Sequence, residues 1–528
     1  MRRFVESLVQ DSRIRRHVVY QGLAPRREAR LVPLAQDTPG PVRAAVETVG
    51  ARRLYSHQAE AIERIQHGKN LLLATPTASG KTLAYLLAFA TARQADPRAH
   101  ALFVYPLKAL ARDQLATIRR FLAPLGLDPA QAAEVYDGDT PESARRRIRR
   151  HPPAVVITNP DMLHLALLSY HDSWAGFLDR LGLVVLDEAH VYRGIFGAHV
   201  HHVIRRLLRL ARVRGARPRL MAGSATIGDP GQFISTLTGE PFDVIAESGA
   251  PAAPRHVLFL EPDSVSPYTL ATHLVARAVE AGRKTIAFTK ARRITELMIH
   301  WLLDSRPKLA RRVASYRAGY LPEERREIEA RLFSGELAGV ISTSALEAGI
   351  DVGELDVCVL VGYPGSLATS WQRIGRAGRS DAESLAVLVA LPDALDRYVV
   401  RHPQHFFSGD FERVVLDPEN DTVADAHLQA AAAERSLDPE ELRWLGGPQV
   451  LERLERLVAD GRLTRVHDEQ RWFTLRRRPQ RDISLRSTGT TYALLRASDR
   501  RHLGTLDASR VWFEGHPGAI YLHAGQSY

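Results

Sequence analysis

The stretch that decides the fold is NLLLATPTASGKT, residues 70–82. Its first five residues form a short apolar run of the kind found in buried parallel strands. The run leads into a loop that ends in Gly80, Lys81 and Thr82, and a helical pattern follows. Backbone amides of such a loop can bind phosphates at a helix amino terminus, Lys81 can reach the β- and γ-phosphates, and Thr82 supplies a hydroxyl for Mg²⁺. The stretch therefore predicts an α/β domain that binds a nucleoside triphosphate.

One position departs from the usual phosphate-loop pattern, because Thr75 stands where the first glycine is expected. A chance Gly-Lys-Thr in a surface loop is the alternative interpretation. The strand before the loop and the helix after it favour phosphate binding.

A pair of carboxylates follows another buried run. Residues 183–186 are apolar, and Asp187 and Glu188 come directly after them. An acid at the end of a buried strand is costly unless a cation or hydrogen bonds satisfy it. Asp187 can hold Mg²⁺ through water, and Glu188 can polarise the attacking water. A simple turn at the strand end is the alternative, but the phosphate loop upstream favours catalysis.

Arginines at helical spacing supply a third element. Residues 372–379 read QRIGRAGR, in which Arg376 and Arg379 project from one helical face. If two sheets face each other, these arginines can meet the γ-phosphate and stabilise charge that develops in the transition state. A basic patch for nucleic acid is the alternative interpretation.

Short apolar runs alternate with helical patterns along most of the chain. The runs are 70–74, 101–105, 155–158, 183–187 and 219–223, and then 255–260, 285–288, 313–316, 339–342, 357–361 and 385–391. Such alternation predicts parallel sheets with helices on both faces, and hence two tandem α/β domains. After about residue 400, helices and a hairpin suggest a winged helix, with a generic helical domain as the alternative.

Five parts are expected along the chain. They are a basic N-terminal helical arm (1–50), a first, ATP-binding α/β domain (51–247), a second α/β domain (255–400), a winged-helix-like domain (401–480) and the start of a β-rich C-terminal domain (481–528). Because residues 515–523 read as a turn entering a strand close to the last residue, we expect 1–528 to be the N-terminal part of a longer protein.

Composition limits the class of protein. Of 528 residues, 45% are apolar and 25% charged, and no stretch approaches the ~18 apolar residues of a membrane helix. The single cysteine, Cys358, excludes a disulfide framework within the chain and a cysteine-based zinc site. The net charge of +11 favours a polyanionic partner. We therefore expect a cytoplasmic protein that binds no membrane and no zinc.

In their order along the chain, these motifs resemble those of superfamily 2 helicases of the DEAH type. The matching segments are YSHQ (55–58), the phosphate loop, PLKAL (106–110), TNPD (158–161), DEAH (187–190), GSAT (223–226), FT (288–289), STS (342–344), GID (349–351) and QRIGRAGR (372–379). DEAHVYRG (187–194) and YPGS (363–366) are similar to the mitomycin-repair-factor DNA helicases and their fungal relatives. That family carries a C-terminal four-cysteine metal-binding domain, which here is either absent or lies beyond residue 528.

The resemblance implies two RecA-like domains and a role for each matched residue. Nucleotide binding falls to Tyr55, Gln58 (at the adenine edge), Thr77, Ala78, Ser79, Gly80, Lys81, Thr82, Gly349 and Asp351. Contacts with the nucleic-acid backbone fall to Pro106, Lys108, Arg112, Thr158, Lys290 and Thr343. Coupling of hydrolysis to domain movement falls to His190, Ser224 and Thr226, and Gln372 joins Arg376 and Arg379 in catalysis.

The implied activity is that of an ATP- and Mg²⁺-dependent DNA helicase that moves 3′ to 5′ on single-stranded or tailed duplex DNA, with a role in DNA repair. An RNA helicase of the same superfamily is the main alternative. An ATP-dependent clamp or remodeller that never separates strands is another. A small-molecule kinase would not explain the arginine helix.

Three histidines raise the question of a metal site. His199, His201 and His202 follow the acidic motif on a predicted helix, where only His199 and His202 share a face. Because structural metal sites need three or four converging ligands, a structural role is the favoured interpretation.

Overall fold

A computed structural model describes residues 1–317, 319–347, 355–378, 382–466, 471–486, 491–523 and 526–528. Gly349, Asp351 and Arg379 lie outside the described residues. The chain forms two compact units. The first unit comprises Arg30–Gly249 with Arg413–Arg486, and the second comprises Met1–Ala29, Ala250–Glu412 and Ser487–Tyr528.

The strands alternate with helices through both units. In chain order the strands are β1 (Val18–Ala24), β2 (Leu31–Val32), β3 (Leu54–Tyr55), β4 (Leu71–Ala74), β5 (His100–Val104), β6 (Ala133–Val135), β7 (Val155–Thr158), β8 (Leu181–Leu186), β9 (Arg219–Ser224), β10 (Asp243–Ile245), β11 (Arg255–Leu260), β12 (Thr285–Phe288), β13 (Val313–Tyr316), β14 (Gly339–Ser342), β15 (Val357–Val361), β16 (Ser384–Val389), β17 (Thr464–Val466), β18 (Arg471–Phe473), β19 (Thr491–Leu495), β20 (His502–Asp507), β21 (Leu522–His523) and β22 (Gln526–Ser527).

The α-helices supply the layers that cover the sheets. They are α1 (Arg2–Gln10), α2 (Ser12–Arg15), α3 (Gly40–Thr48), α4 (Ser56–Gln66), α5 (Lys81–Ala95), α6 (Lys108–Leu122), α7 (Pro129–Ala132), α8 (Glu142–Arg150), α9 (Pro160–Met162), α10 (Ala175–Leu178), α11 (Gly194–Val213), α12 (Pro230–Thr238), α13 (Pro267–Glu280), α14 (Arg292–Ser305), α15 (Pro322–Phe333), α16 (Leu367–Ile374), α17 (Ala394–Arg401), α18 (Pro403–Ser408), α19 (Asp421–Glu434), α20 (Pro448–Ala459) and α21 (Ala508–Glu514). None of these helices, within the described part of the chain, is long and apolar enough to cross a membrane.

The first unit is built on a seven-stranded parallel sheet in the order β10-β4-β9-β8-β5-β7-β6. Its central strands are buried along almost their whole length, as the continuous apolar runs of the sequence predict. Because all strands run the same way, the segments that follow them meet at one edge of the sheet. The phosphate loop and the acidic motif both lie at this carboxyl edge.

The second unit contains another seven-stranded sheet, in the order β1-β11-β16-β15-β12-β14-β13. All neighbours are parallel except β1, which pairs antiparallel with β11. Phe4 and Leu8 of α1 join the core formed by α13, α14 and the sheet. The predicted fold class, two parallel-sheet α/β domains of the RecA-like type, is therefore confirmed. The sequence did not predict that β1 would join this sheet, because its alternating burial is a weak pattern and its partner strand is distant in the chain.

Residues 413–486 pack helices against a small hairpin within the first unit. Strands β17 and β18 pair antiparallel, and the hairpin contributes Trp472 to a core that includes Leu428, Leu454 and Leu457. Leu437 and Trp472 exchange backbone hydrogen bonds of 2.7 and 3.1 Å, which fix the hairpin against the helices. The predicted arrangement of helices followed by a hairpin is thus observed.

A buried network of arginines and histidines joins α11 to this helical segment. Arg206, 1% exposed, forms an ion pair with Glu434 and donates to Nδ1 of His164 (2.9 Å) and of His427 (3.0 Å). The Nε2–H of His427 then donates to Nδ1 of His199 at 3.0 Å. The described residues contain no group of three or more His, Cys, Asp or Glu side chains that could hold a metal ion. Of the histidines singled out in the sequence, His199 hydrogen-bonds within this network. His201 and His202 donate to the backbone carbonyls of Thr236 (2.7 Å) and Pro418 (2.9 Å).

Because these histidines are buried, we predict that the first unit loses stability on acidification. Burial, with a further contribution from the charge of Arg206, lowers the pKa of His164 to about 3. A lowered folded-state pKa means that stability is complete above the unfolded pKa of about 6.5 and is lost as the pH falls below it. Between pH 7 and pH 5, His164 alone should account for about 2 kcal/mol of lost stability.

The measurement is denaturant unfolding at the two pH values. His164→Gln should reduce the difference in unfolding free energy between pH 7 and pH 5, whereas the exposed His67→Gln should leave it unchanged. An unaltered pH dependence in His164→Gln would contradict the assignment of a neutral buried imidazole.

Candidate nucleotide and nucleic-acid sites

Three of the predicted motifs follow or end neighbouring strands of the first sheet. The phosphate loop follows β4, Ser224 ends β9, and Asp187 follows β8, in the spatial order β4-β9-β8. The carboxyl edge of a parallel sheet is the usual place for a ligand site in α/β proteins. The structure therefore brings these motifs to one surface.

The phosphate loop has the backbone of an anion-binding turn. Ala78 (φ 62°) and Gly80 (φ 80°) adopt left-handed conformations, which turn successive amides toward one side. Thr75 and Ser79 hydrogen-bond through their buried hydroxyls at 2.7 Å, so the threonine at the usual glycine position closes the base of the loop. The Lys81 ammonium donates to the carbonyls of Thr75 (2.9 Å) and Pro76 (3.2 Å). Pro76 is an exposed residue.

The first turn of α4 hydrogen-bonds to the phosphate loop. Gln58 Nε2 donates to Gly80 O (2.9 Å), and its Oε1 accepts from the amide of Tyr55 (2.9 Å). His57 donates from Nε2 to Ser79 O at 3.0 Å. Adenine recognition by Gln58 and Tyr55 stays a prediction, and in this structure both polar ends of the Gln58 amide hold the loop.

The acidic motif combines a strained backbone at Glu188 with buried carboxyl groups at Asp187 and Glu188. Glu188 is 6% exposed and has a left-handed backbone (φ 48°), which costs a residue other than glycine about 1–3 kcal/mol. Burial raises the pKa of the Asp187 carboxyl to about 6; the neighbouring Glu188 charge adds to this and Lys81 opposes it. The Tyr85 hydroxyl donates to Asp187 Oδ1 at 2.8 Å. A carboxylate of this kind and the Thr82 hydroxyl are the hard oxygen donors that Mg²⁺ prefers, so the residues fit this cation.

The coupling residues meet beside the acidic motif. The amide of Ala225, between Ser224 and Thr226, donates to His190 Nδ1 at 3.1 Å. The Ser224 hydroxyl donates to the carbonyl of Ala225 at 2.7 Å. Their role in coupling stays a prediction, while the contact gives a direct path from the acidic motif to the end of β9.

Two of the predicted nucleic-acid residues in the first unit share a carboxylate. Lys108 Nζ lies 2.9 Å from Asp139 Oδ1, and Arg112 NH2 lies 2.7 Å from Asp139 Oδ2. Arg112 also contacts Asp137 at 3.3 Å. All of these ion pairs leave Lys108 and Arg112 substantially exposed, so the cations stay accessible to a phosphate backbone.

Pro106 and Thr158 are buried rather than presented as side-chain contacts. The Thr158 hydroxyl donates to Tyr136 O at 2.7 Å. The carbonyl of Pro106 accepts from Arg486 NH2 at 2.6 Å, and Arg486 Nε contacts Asp161 at 2.7 Å. Arg486 thus ties the end of the helical segment 413–486 to both of these predicted motifs.

In the second unit, Lys290 and Thr343 line one cleft of about 260 Å³. The cleft lies at the carboxyl ends of β12 and β14, and its other lining residues are Thr289, Arg292, Ser344, Pro364 and Arg373. Lys290 Nζ contacts Asp396 Oδ1 at 3.1 Å, which holds the ammonium at the rim. The cleft offers a cluster of cations and hydroxyls of the kind that binds phosphates.

The arginine helix of the sequence is α16 with the turn that follows it. Gln372 is 5% exposed and Arg376 is fully buried. The neighbouring Arg373 pairs with Glu347 through Nε and NH2, at 3.0 and 2.7 Å.

Sequence reasoning missed several residues that the structure adds to the sites. They are His57, Tyr85, Asp137, Asp139 and Arg486. A signal was available for the two aspartates, because YDGDT (136–140) is a turn sequence that follows a short strand. Tyr85 and Arg486 gave no signal, since one sits in an apolar helix and the other in a charged stretch.

Comparison with known families covers most of the chain. Residues 55–233 match the DEAD/DEAH box helicase family, residues 268–381 match the helicase conserved C-terminal domain, and residues 416–488 match the winged helix domain of ATP-dependent helicase HRQ1. The predicted winged helix and the resemblance to superfamily 2 helicases are thereby confirmed.

Individual relatives agree with this assignment. The chain is 37% identical over 516 residues to the uncharacterized ATP-dependent helicase YprA of Bacillus subtilis, covering 95% of this chain and 68% of YprA. It is 33% identical to ATP-dependent helicase HRQ1 of Saccharomyces cerevisiae, covering 90% of this chain but 46% of that protein, so it spans about half of the fungal relative.

A solved structure is similar over the whole chain. The DUF1998 helicase MrfA, in a crystal structure bound to DNA and AMPPNP, superimposes with a TM-score of 0.90 at 36% identity, covering 100% of this chain and 74% of MrfA. Two parallel sheets with the motor motifs at their carboxyl edges, a winged helix and these relatives agree. The chain therefore belongs to the superfamily 2 DEAD/DEAH-box helicases of the MrfA type and is an ATP-dependent helicase that acts on nucleic acid.

Proposed function

We propose that this chain is a DNA translocase and helicase that moves 3′ to 5′ along single-stranded DNA. The main support is the similarity over its whole length to MrfA, which was solved with DNA and AMPPNP. The direction of movement and a role in DNA repair rest on the resemblance of the motifs to the mitomycin-repair-factor helicases.

The first unit would carry out ATP hydrolysis. Left-handed turns at Ala78 and Gly80 direct amides toward the phosphates, and Lys81 would exchange its two carbonyl contacts for the β- and γ-phosphates. Glu188 would orient and polarise the attacking water. Thr82 and Asp187 would hold Mg²⁺, which supplies positive charge against the phosphate oxygens when it is bound.

The nucleic-acid contacts would position a strand without reading its sequence. Lys108 and Arg112 in the first unit, and Lys290, Arg292 and Thr343 in the second, are cations and a hydroxyl suited to phosphate oxygens. A motor that must move past every base needs this kind of contact. RNA unwinding is the second candidate, since phosphates alone do not distinguish the two nucleic acids.

Strand displacement tests the proposal directly. Matched DNA and RNA duplexes are prepared with a single-stranded tail at either the 3′ or the 5′ end of the loading strand. We expect ATP-dependent separation of the 3′-tailed DNA duplex, with Glu188→Gln as the inactive control. Preferential unwinding of RNA, or of the 5′-tailed substrate, would contradict it. Nucleic-acid-stimulated ATP turnover without strand separation would favour the clamp or remodeller.

Salt dependence gives a further prediction. Binding of single strands should weaken steeply with salt, because each neutralised phosphate releases a counterion. Lys290→Ala should lower the slope of log K against log salt by about 0.7, the value for one single-strand phosphate contact. Lys308→Ala, an exposed lysine just before β13 at the opposite edge of the same sheet, is the matched control and should leave the slope unchanged. Equal slopes in the Lys290 variant and the wild type would show that Lys290 does not contact a phosphate of the bound strand.

A further inference from the structure

A buried tyrosine contacts the acidic motif from the interior of the first unit. Tyr85 lies on α5, one helical turn after Lys81, and its side chain is 0% exposed. Its ring packs edge-on against Phe103 of β5, with ring centroids 6.4 Å apart. The hydroxyl is therefore held at a fixed place, and from there it donates its 2.8 Å hydrogen bond to Asp187 Oδ1.

Gly223 provides the space for this contact. A β-carbon placed on Gly223 would lie 1.7 Å from the Tyr85 hydroxyl oxygen and 2.7 Å from Asp187 Oδ1. Both distances are too short for a side chain at position 223. Glycine at the end of β9 is thus a condition for the meeting of Tyr85 and Asp187. The Tyr85 hydroxyl, on the helix after the phosphate loop, thus hydrogen-bonds to the acidic motif and lies next to Gly223 of the GSAT segment.

We propose that Tyr85 is a positioning residue that fixes the orientation of the Asp187 carboxylate. The terminal torsion of an aspartate is broad and roughly twofold, so the backbone alone does not set the direction of its oxygens. A hydrogen bond from a rigid buried donor to Oδ1 restricts this freedom, in addition to the backbone hydrogen bond from Glu188 to the same carboxylate. The inference rests on the proposed role of Asp187 as a magnesium ligand.

Nucleotide binding as a function of Mg²⁺ concentration tests the proposal. A fluorescent, non-hydrolysable ATP analogue is titrated into the full chain, first in EDTA and then at increasing Mg²⁺. In Tyr85→Phe, affinity in EDTA should equal that of the wild type. The Mg²⁺ concentration that gives half of the metal-dependent gain in affinity should rise roughly tenfold, because a hydrogen bond to a charged group is worth about that factor.

Tyr105→Phe is the matched control. Tyr105 is also fully buried in this unit, and its hydroxyl has no hydrogen-bond partner among the described residues. The same chemical change there should not alter the Mg²⁺ requirement. An equal rise in both variants, or no rise in Tyr85→Phe, would overturn the proposal. Asp187→Asn tests separately whether Asp187 binds Mg²⁺. If this variant kept the wild-type Mg²⁺ response, Asp187 would not be a magnesium ligand.

A double-mutant cycle adds a readout that general destabilisation would not produce. Gly223→Ala should raise the Mg²⁺ requirement, because its β-carbon would displace both the Tyr85 hydroxyl and Asp187 Oδ1. In the Tyr85→Phe background the same substitution should have a smaller effect, because the hydroxyl that it displaces is already gone. Effects that simply multiply would show that the two residues act independently and would contradict the shared contact.

Discussion

In Glu188→Gln we expect ATP turnover to fall by about 10²–10⁴-fold while ATP binding is retained, the scale associated with the loss of a positioned base. Glutamine keeps the size of the buried side chain but cannot accept a proton from water. The strained left-handed backbone at Glu188 is unaffected by the change, so the loop should keep its shape. Steady-state hydrolysis with saturating single-stranded DNA, and equilibrium binding of an ATP analogue, measure the two quantities separately.

Glu63→Gln is the control for this variant, because Glu63 is exposed on α4 of the same unit. It should hydrolyse ATP at the wild-type rate. Near-normal turnover in Glu188→Gln would remove Glu188 as the base. Loss of nucleotide binding in that variant would instead show that Glu188 maintains the structure of the nucleotide-binding loop.

Replacing the arginines of the second unit should have an effect at least as large. An arginine that stabilises charge on the transferred phosphoryl group contributes about 10³–10⁵ in turnover. We therefore expect Arg376→Gln and Arg379→Ala to suppress ATP hydrolysis strongly while single-strand binding stays within about twofold. Because Arg376 is fully buried, glutamine is preferred there to alanine, and thermal unfolding should be followed in parallel.

The exposed Arg326 on α15 offers a control with the same charge change, and Arg326→Ala should alter neither property. If the Arg376 and Arg379 variants instead lost DNA binding but kept normal turnover per bound complex, the two arginines would belong to a basic nucleic-acid patch.

Much of the fold was open to prediction because its signals are local. The runs at 155–158, 255–260, 285–288, 313–316, 339–342 and 357–361 coincide with observed strands. Strands buried on both faces must be continuously apolar, so the pattern of burial is written in consecutive residues. The short edge strands β6 and β10 and the antiparallel β1 escaped prediction, since partly exposed edges have weaker patterns.

The residues of the candidate site also fall into those that the sequence predicted and those that it did not. The phosphate loop and the acidic motif were found because their chemistry needs particular residue types at fixed spacing, and each stands directly after a strand. Tyr85 was missed because a tyrosine in an apolar helix resembles any other core residue. His57 and Arg486 were missed because their partners, Ser79 and Pro106, lie far from them along the chain or on another element.

The sequence by itself determined the alternating α/β architecture, the order of the motifs and the residue types that handle phosphate. Only the tertiary structure decided which strands are neighbours, and hence that Tyr85, Asp187 and Gly223 share one point in the core. The physical reason is that a backbone conformation or an amphipathic period depends on consecutive residues. A buried hydrogen bond depends instead on two side chains that packing brings together from distant parts of the chain.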